Sequence, residues 1–269
     1  MLDPVSSSMS QLAATDWTNV PEAEKTLPAH SHLKYGYFRG STAEFIEERV
    51  RRDGILDTVV RDLAYFVQSE EGPGPGVLLL HSLWGLTRSV KSLCDELADH
   101  GYTVLAPDIN FGELPETEEE GIDHLGEANP DRMASLVLSS TSLLADQSSE
   151  GPIGIVGFGM GGSLGLWASV RLADLVSAAV SFYGTQQIDF AGSQSSYLIH
   201  LAEEDEYISD DEAAFMEATM GLETLPVEVI THGGTEHGFC EPEGETFDPD
   251  VFKQAWSRTI EFLDERLRS

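Results

Sequence analysis

The sequence predicts an α/β protein built on a mostly parallel sheet with helices on both faces. Three observations carry that prediction. Short runs that are almost wholly apolar, such as VLLLH at 77–81 and IGIVGF at 153–158, fit strands covered on both sides. Amphipathic segments of helical length stand between such runs, so the connections read as crossovers that return the chain for another parallel strand. A glycine-rich junction at 157–162 joins a strand directly to a helix. No internal repeat and no linker breaks the pattern into a second domain.

Taken in order, residues 1–40 are weakly patterned, with Pro21, Pro28 and Gly36 interrupting any period. STAEFIEERVRR then begins as a helix, because Ser41 followed by Glu44 fits a capping box. ILDTVVRDLAYFVQ is ambiguous between helix and strand. EGPGPG at 71–76 is a turn, VLLLH a strand, and TRSVKSLCDELADHG a helix with Val90, Leu93, Cys94 and Leu97 on one side. Gly101 lies beyond the end of that helix. YTVLAPD is the next strand, and residues 108–129 read as an acidic, glycine-bearing loop before the helix DRMASLVLSSTSLLAD. The alternation continues with the strand IGIVGF, the helix MGGSLGLWASVRLA, and the strands VSAAVSFYG and SYLIHLA. DDEAAFMEATMG is a helix, PVEVITH a strand, and PDVFKQAWSRTIEFLDERL the last helix. The expected division is an N-terminal extension over 1–70, partly helical and packed on or capping the core, and a single domain over 71–269.

Charge narrows the partners. The 269 residues carry 47 acidic and 15 basic side chains, a formal net charge of −32, and the cations are 4 lysines and 11 arginines. So few cations within so negative a field argue against binding nucleic acid or an anionic membrane. At molar salt the screening length falls to about 3 Å, so the composition fits a high-salt cytosol where self-repulsion is suppressed. An apolar fraction of 41% is enough to fill one large core. Two cysteines do not make a disulfide scaffold. MLDPVSSSMSQLAATDW lacks the cationic start and apolar run of a signal peptide, and stretches such as Val77 to Leu80 are too short to span a bilayer. The expectation is a cytoplasmic monomer or homodimer that handles a small molecule.

The chemistry centres on GIVGFGMGGSLGLW, residues 154–167. A strand ending at Phe158, a sharp turn and a helix beginning near Met160 make the nucleophile elbow, Gly-x-nucleophile-x-Gly. Such a turn exposes one side chain above the sheet, next to backbone amides able to hold an oxyanion. Here that position is Gly159, which has no side chain. Asp205 follows the strand SYLIH, and His237 follows the strand PVEVI. Both therefore sit at carboxyl ends of strands, where open α/β sheets place their sites. The order of elbow, acid and histidine is the hydrolase order.

Taken together, LLLHSLWGLTRSVKSLCDELADHGYTVLAPDI, GFGMGGSLG, SFYG and the Asp205 and His237 segments resemble the dienelactone hydrolase family over roughly residues 72–267. The resemblance implies the α/β-hydrolase fold and places Gly159 at the position of the family's usual cysteine nucleophile. It likewise implies Asp205 as acid and His237 as base. Family members typically carry a glutamate after the histidine of the segment HSLWG, where it helps hold the resting cysteine; here the residue is Ser82.

Further candidates for an oxyanion site or pocket are Ser82, Leu83, Met160, His81, Trp84 and Tyr183. Ser82 reads either as a displaced nucleophile or as an ordinary orienting hydroxyl. His81 reads as a substrate contact or a satisfied structural histidine, and Trp84, Tyr183 and Phe239 as pocket walls or plain packing. Cys240 and Cys94 read as small core side chains, and Ser163 as a residue packed one turn beyond the elbow. The histidines are dispersed, so no metal site is expected, and GFGMGG does not make a dinucleotide fingerprint, so no cofactor is expected. Three functions stay open: hydrolysis of a small ester, lactone or thioester through His237 and Asp205, silent small-molecule binding or regulation on a degenerate hydrolase scaffold, or a structural subunit whose N-terminal 70 residues provide a partner surface.

Overall fold

Among the described residues, seven strands form one sheet. In this computed structural model residues 64–69 and 71–268 are described. The strands are β1 (Ala64–Gln68), β2 (Gly76–Leu80), β3 (Thr103–Pro107), β4 (Ile153–Phe158), β5 (Val176–Phe182), β6 (Ser196–Glu204) and β7 (Val227–Glu236). The helices are α1 (Arg88–Asp99), α2 (Glu118–Glu127), α3 (Pro130–Gln147), α4 (Met160–Arg171), α5 (Asp210–Leu222) and α6 (Pro249–Leu267). The strands lie in the order β1-β3-β2-β4-β5-β6-β7; β1 runs antiparallel to β3, and every other pairing is parallel. This is the mostly parallel, helix-covered sheet that the alternation of the sequence predicts.

Successive side chains of a strand point to opposite faces, and two helical layers use that alternation. On one face Leu79, Val104, Val156 and Val180 pack with Leu97 of α1 and with Trp256 and Leu263 of α6. On the other, Leu78, Leu80, Leu105 and Ile155 pack with Val137 and Leu144 of α3 and with Leu164 and Trp167 of α4. α5 adds Met216 and Met220 against Tyr197 and Ile199 of β6. Because β2 and β4 are covered on both faces, they are apolar at every position but glycine, and all their residues are buried.

The segment before residue 71 that reads as either helix or strand contains β1, whose five residues register against β3. The acidic stretch 108–129, read as a loop, contains α2. Thr117 caps it by accepting the Glu120 amide, and Glu118, Glu119 and Glu120 occupy its first turn, where negative charge suits the helix dipole. Gly121 places α2 against the turn after β2, because a Cβ there would stand 2.4 Å from Leu83 Cδ1. The helix expected from Ser41, and the rest of the N-terminal extension up to residue 63, lie outside the described residues.

Candidate active site

The sheet brings the ends of β2, β4, β6 and β7 to one edge. At the end of β4 the chain turns through Gly159 at φ 50° and ψ −117°, a conformation that strains any residue with a side chain. The turn is held by the Gly159 amide, which donates to the Phe182 carbonyl at 2.9 Å, and by the Ser163 amide, which donates to the Gly159 carbonyl at 3.0 Å. α4 then starts at Met160, close enough to β2 that a Cβ on Gly161 would lie 2.4 Å from the His81 carbonyl oxygen. A Cβ on Gly159, by contrast, would find ordinary contacts, 3.6 Å from Ser82 Cβ and 3.8 Å from His237 Nε2.

His237 and Asp205 meet across 32 residues of chain. His237 Nδ1 lies 2.8 Å from Asp205 Oδ2 and 3.0 Å from Oδ1. The same carboxylate accepts the amides of Tyr207 and Ile208 at 2.9 and 3.0 Å, which fixes its orientation. The side chains of His237 and Asp205 are only 10% and 7% exposed. Tyr183 and Tyr207 pack on the imidazole with ring centroids 4.9 and 4.8 Å away. Commitment of Nδ1–H to the carboxylate assigns the tautomer, leaving the Nε2 lone pair beside Gly159.

A match to the family model for the dienelactone hydrolase family spans residues 63–267. The chain belongs to the dienelactone hydrolase family. It is 28% identical to protein usf of Aquifex pyrophilus over 214 residues, covering 75% of this chain and 93% of that protein. It is 20% identical to carboxymethylenebutenolidase of a Pseudomonas species over 206 residues, covering 71% and 85%. Among solved structures, a dienelactone hydrolase-like promiscuous phosphotriesterase from metagenomic libraries superposes with a TM-score of 0.62 at 22% identity, covering 72% of this chain and 87% of that one. The last likeness shows the shared fold.

Against the dienelactone hydrolase pattern, the position after His81 carries a hydroxyl, and a carboxyl from elsewhere in the chain meets it. Glu241, in the turn after β7, accepts a hydrogen bond from Ser82 Oγ. Its carboxyl is enclosed by protein although part of the residue reaches solvent. Burial pushes its pKa up to about 7, offset in part by the Ser82 hydrogen bond and by His237, while Glu243 raises it further. The Tyr183 hydroxyl is buried beside this carboxyl, without a hydrogen bond of ordinary geometry. Sequence reasoning missed Glu241, because EPEGE reads as a solvated acidic turn. The available signal was a serine at position 82, where the family resemblance implies a glutamate, and a glutamate four residues after His237. Tyr207 was missed too; its hydroxyl donates to Glu118 of α2 at 2.8 Å and so ties that helix to the site.

The remaining candidates divide. Ser82 and Leu83 are buried in the turn after β2, and Met160 is buried at the start of α4; Ser82 and Met160 border the elbow, while the Leu83 side chain packs toward Gly121 of α2. His81 has both ring nitrogens engaged: Nδ1 donates to the Ser82 carbonyl at 2.7 Å, and Nε2 accepts the Ile109 amide at 3.0 Å. It holds the turn and leaves no nitrogen for a ligand. The Trp84 amide donates to Ser82 Oγ at 3.3 Å, and its ring packs toward Gly244. Tyr183 and Phe239 are fully buried and pack edge to face. Cys94 and Cys240 are buried, and burial pushes both thiols well above their ordinary range, which removes them as nucleophiles. Among the described residues no cluster of histidine, cysteine or carboxylate could hold a metal ion, and no helix is long and apolar enough to cross a membrane.

Proposed function

We propose that this protein hydrolyses a small ester, lactone or thioester by direct attack of water, with His237 as general base and Asp205 as its orienting partner. The observation that carries this reading is the position of His237 Nε2, 3.8 Å from where a Cβ on Gly159 would stand. An acyl-enzyme at Gly159 has no atom to form on. The same absence leaves room for a water beside Nε2, whose lone pair is kept free by the bond from Nδ1 to Asp205. The amide of Met160, at the N-terminus of α4, and that of Leu83 are the donors suited to the oxyanion that forms. The lactone in this substrate class follows the carboxymethylenebutenolidase similarity.

Assays in molar KCl with short acyl esters, thioesters and lactones test the reading through the wild type, His237→Ala and Gly159→Cys together. Hydrolysis by the wild type that falls by about a hundredfold or more in His237→Ala supports it. Wild-type turnover that survives in His237→Ala rules out the dyad. Activity only in Gly159→Cys instead identifies a ligand-binding scaffold whose nucleophile is gone.

A further inference from the structure

His237 alone does not explain why a second titratable group is held at the elbow. Ser82 Cβ and His237 Nε2 both border the position that a Gly159 side chain would fill, 3.6 and 3.8 Å from it. Glu241 reaches Ser82 from the turn after β7, and its other carboxyl oxygen lies toward Gly238. We infer that Glu241 and Ser82 form a proton relay to the leaving group, with Ser82 touching the substrate and Glu241 supplying the proton. The inference rests on the hydrolytic reading of this same site.

The hydrogen-bond inventory of Ser82 supports it. A serine hydroxyl offers one proton and two acceptor positions. One acceptor position takes the Trp84 amide. When Glu241 is ionised, the Ser82 proton is committed to its carboxylate. When Glu241 is protonated, its own O–H can donate to the second acceptor position, and the Ser82 proton becomes free to face the substrate. The groups facing the carboxyl are His237, Glu243, Tyr183 and Cys240. Burial among them places its titration at about 7, so both forms are populated near neutrality. Paired groups at one site that exchange protons at different stages are the usual division into base and acid.

The step balances. His237 Nε2 takes a proton from water as the water oxygen bonds to the acyl carbon, and the carbonyl electron pair moves onto oxygen. That pair then returns as the bond from the acyl carbon to the leaving oxygen or sulfur breaks. The departing atom takes the Ser82 proton, and Ser82 takes the proton of Glu241. The products are a carboxylic acid and an alcohol or thiol. Exchange with solvent returns the proton lost by Glu241 and removes the one gained by His237.

The test uses one acyl group on two leaving groups, an alkyl alcohol that needs protonation to depart and an aryl alcohol that does not. Wild type, Glu241→Gln and Ser82→Ala are compared across neutral pH in molar KCl, with kcat and KM separated. The relay predicts that both variants lose about a hundredfold in kcat on the alkyl ester and at least about tenfold less on the aryl ester. It also predicts that the wild-type rate on the alkyl ester falls above pH about 7, and that Glu241→Gln lacks this fall. Equal losses on the two esters in Ser82→Ala overturn the relay, and that variant carries the test if Glu241→Gln does not fold. An active wild type with an unselective Ser82→Ala defeats the relay alone. A wild type as inert as His237→Ala on both esters defeats the hydrolytic reading and the relay with it.

Discussion

A glutamate in the turn CEPEGE would ordinarily ionise near 4.5, yet burial holds the Glu241 carboxyl up to about 7. The sign of the resulting pH dependence is fixed by which state binds the proton. Between 4.5 and 7 the unfolded chain has released it and the folded protein retains it, so this group's contribution to stability falls as pH rises through that window. At about 1.4 kcal/mol per unit, the loss is on the order of 3 kcal/mol at most. Glu241→Gln removes the titration. Urea unfolding at pH 5 and pH 8 should therefore show the variant gaining stability relative to wild type at the higher pH. An equal difference at both values would mean that Glu241 ionises normally. Position 159 adds the complementary lesson: its backbone takes the strained elbow conformation although glycine places no side chain there.

The junction of β4 and α4 depends on how closely a helix can approach a neighbouring strand. A Cβ on Gly161 would lie 2.4 Å from the His81 carbonyl oxygen and 2.5 Å from that of Leu80, backbone atoms that have no rotamer to change. Gly161→Ala is expected to cost about 3 kcal/mol, read as a lower urea midpoint in molar salt, and a midpoint equal to wild type would show that α4 can shift freely. Two strands from that junction, on the rung of Phe158, His200 of β6 stacks on Phe182 of β5 at 4.5 Å and lies 3.0 Å from His232 of β7 and 3.3 Å from Thr259 of α6. Burial first, and then the neighbouring His232 and Arg258, lower its pKa to about 3. The unfolded chain binds a proton below about 6.5 that the folded protein refuses, so stability is lost as pH falls from 6.5 toward 3. His200→Asn should flatten that acid limb, whatever it does to stability at pH 7; an unchanged slope would place the acid lability elsewhere. The elements themselves were legible unevenly. Fully buried strands such as Val77–Leu80 and Ile153–Phe158 announce themselves by unbroken apolarity. β1 did not, because a strand at the sheet edge follows a segment with both periodicities. α2 did not, because Glu118 to Glu120 look like solvated loop until Thr117 is seen to cap them.

For the whole molecule, a formal charge of −32 should make stability rise with salt, since screening shortens the reach of self-repulsion from about 30 Å at 0.01 M to about 3 Å at 1 M. Thermal unfolding in KCl from tens of millimolar to molar should show a steadily rising midpoint; a flat response would separate the charge from any adaptation to salt. By itself the sequence determined the α/β class, the parallel direction of most strands, the strand-to-helix turn at Gly159, and the edge of the sheet where Asp205 and His237 lie. Those features depend on local periodicity and on the rule that such sites gather at strand carboxyl ends. Only the tertiary structure decided that His81 is held by backbone, that α2 packs on Leu83, and that Glu241 meets Ser82 across 159 residues. Contacts between segments so distant leave no period in the chain, and the altered ionisation of Glu241 comes from burial that no local sequence specifies.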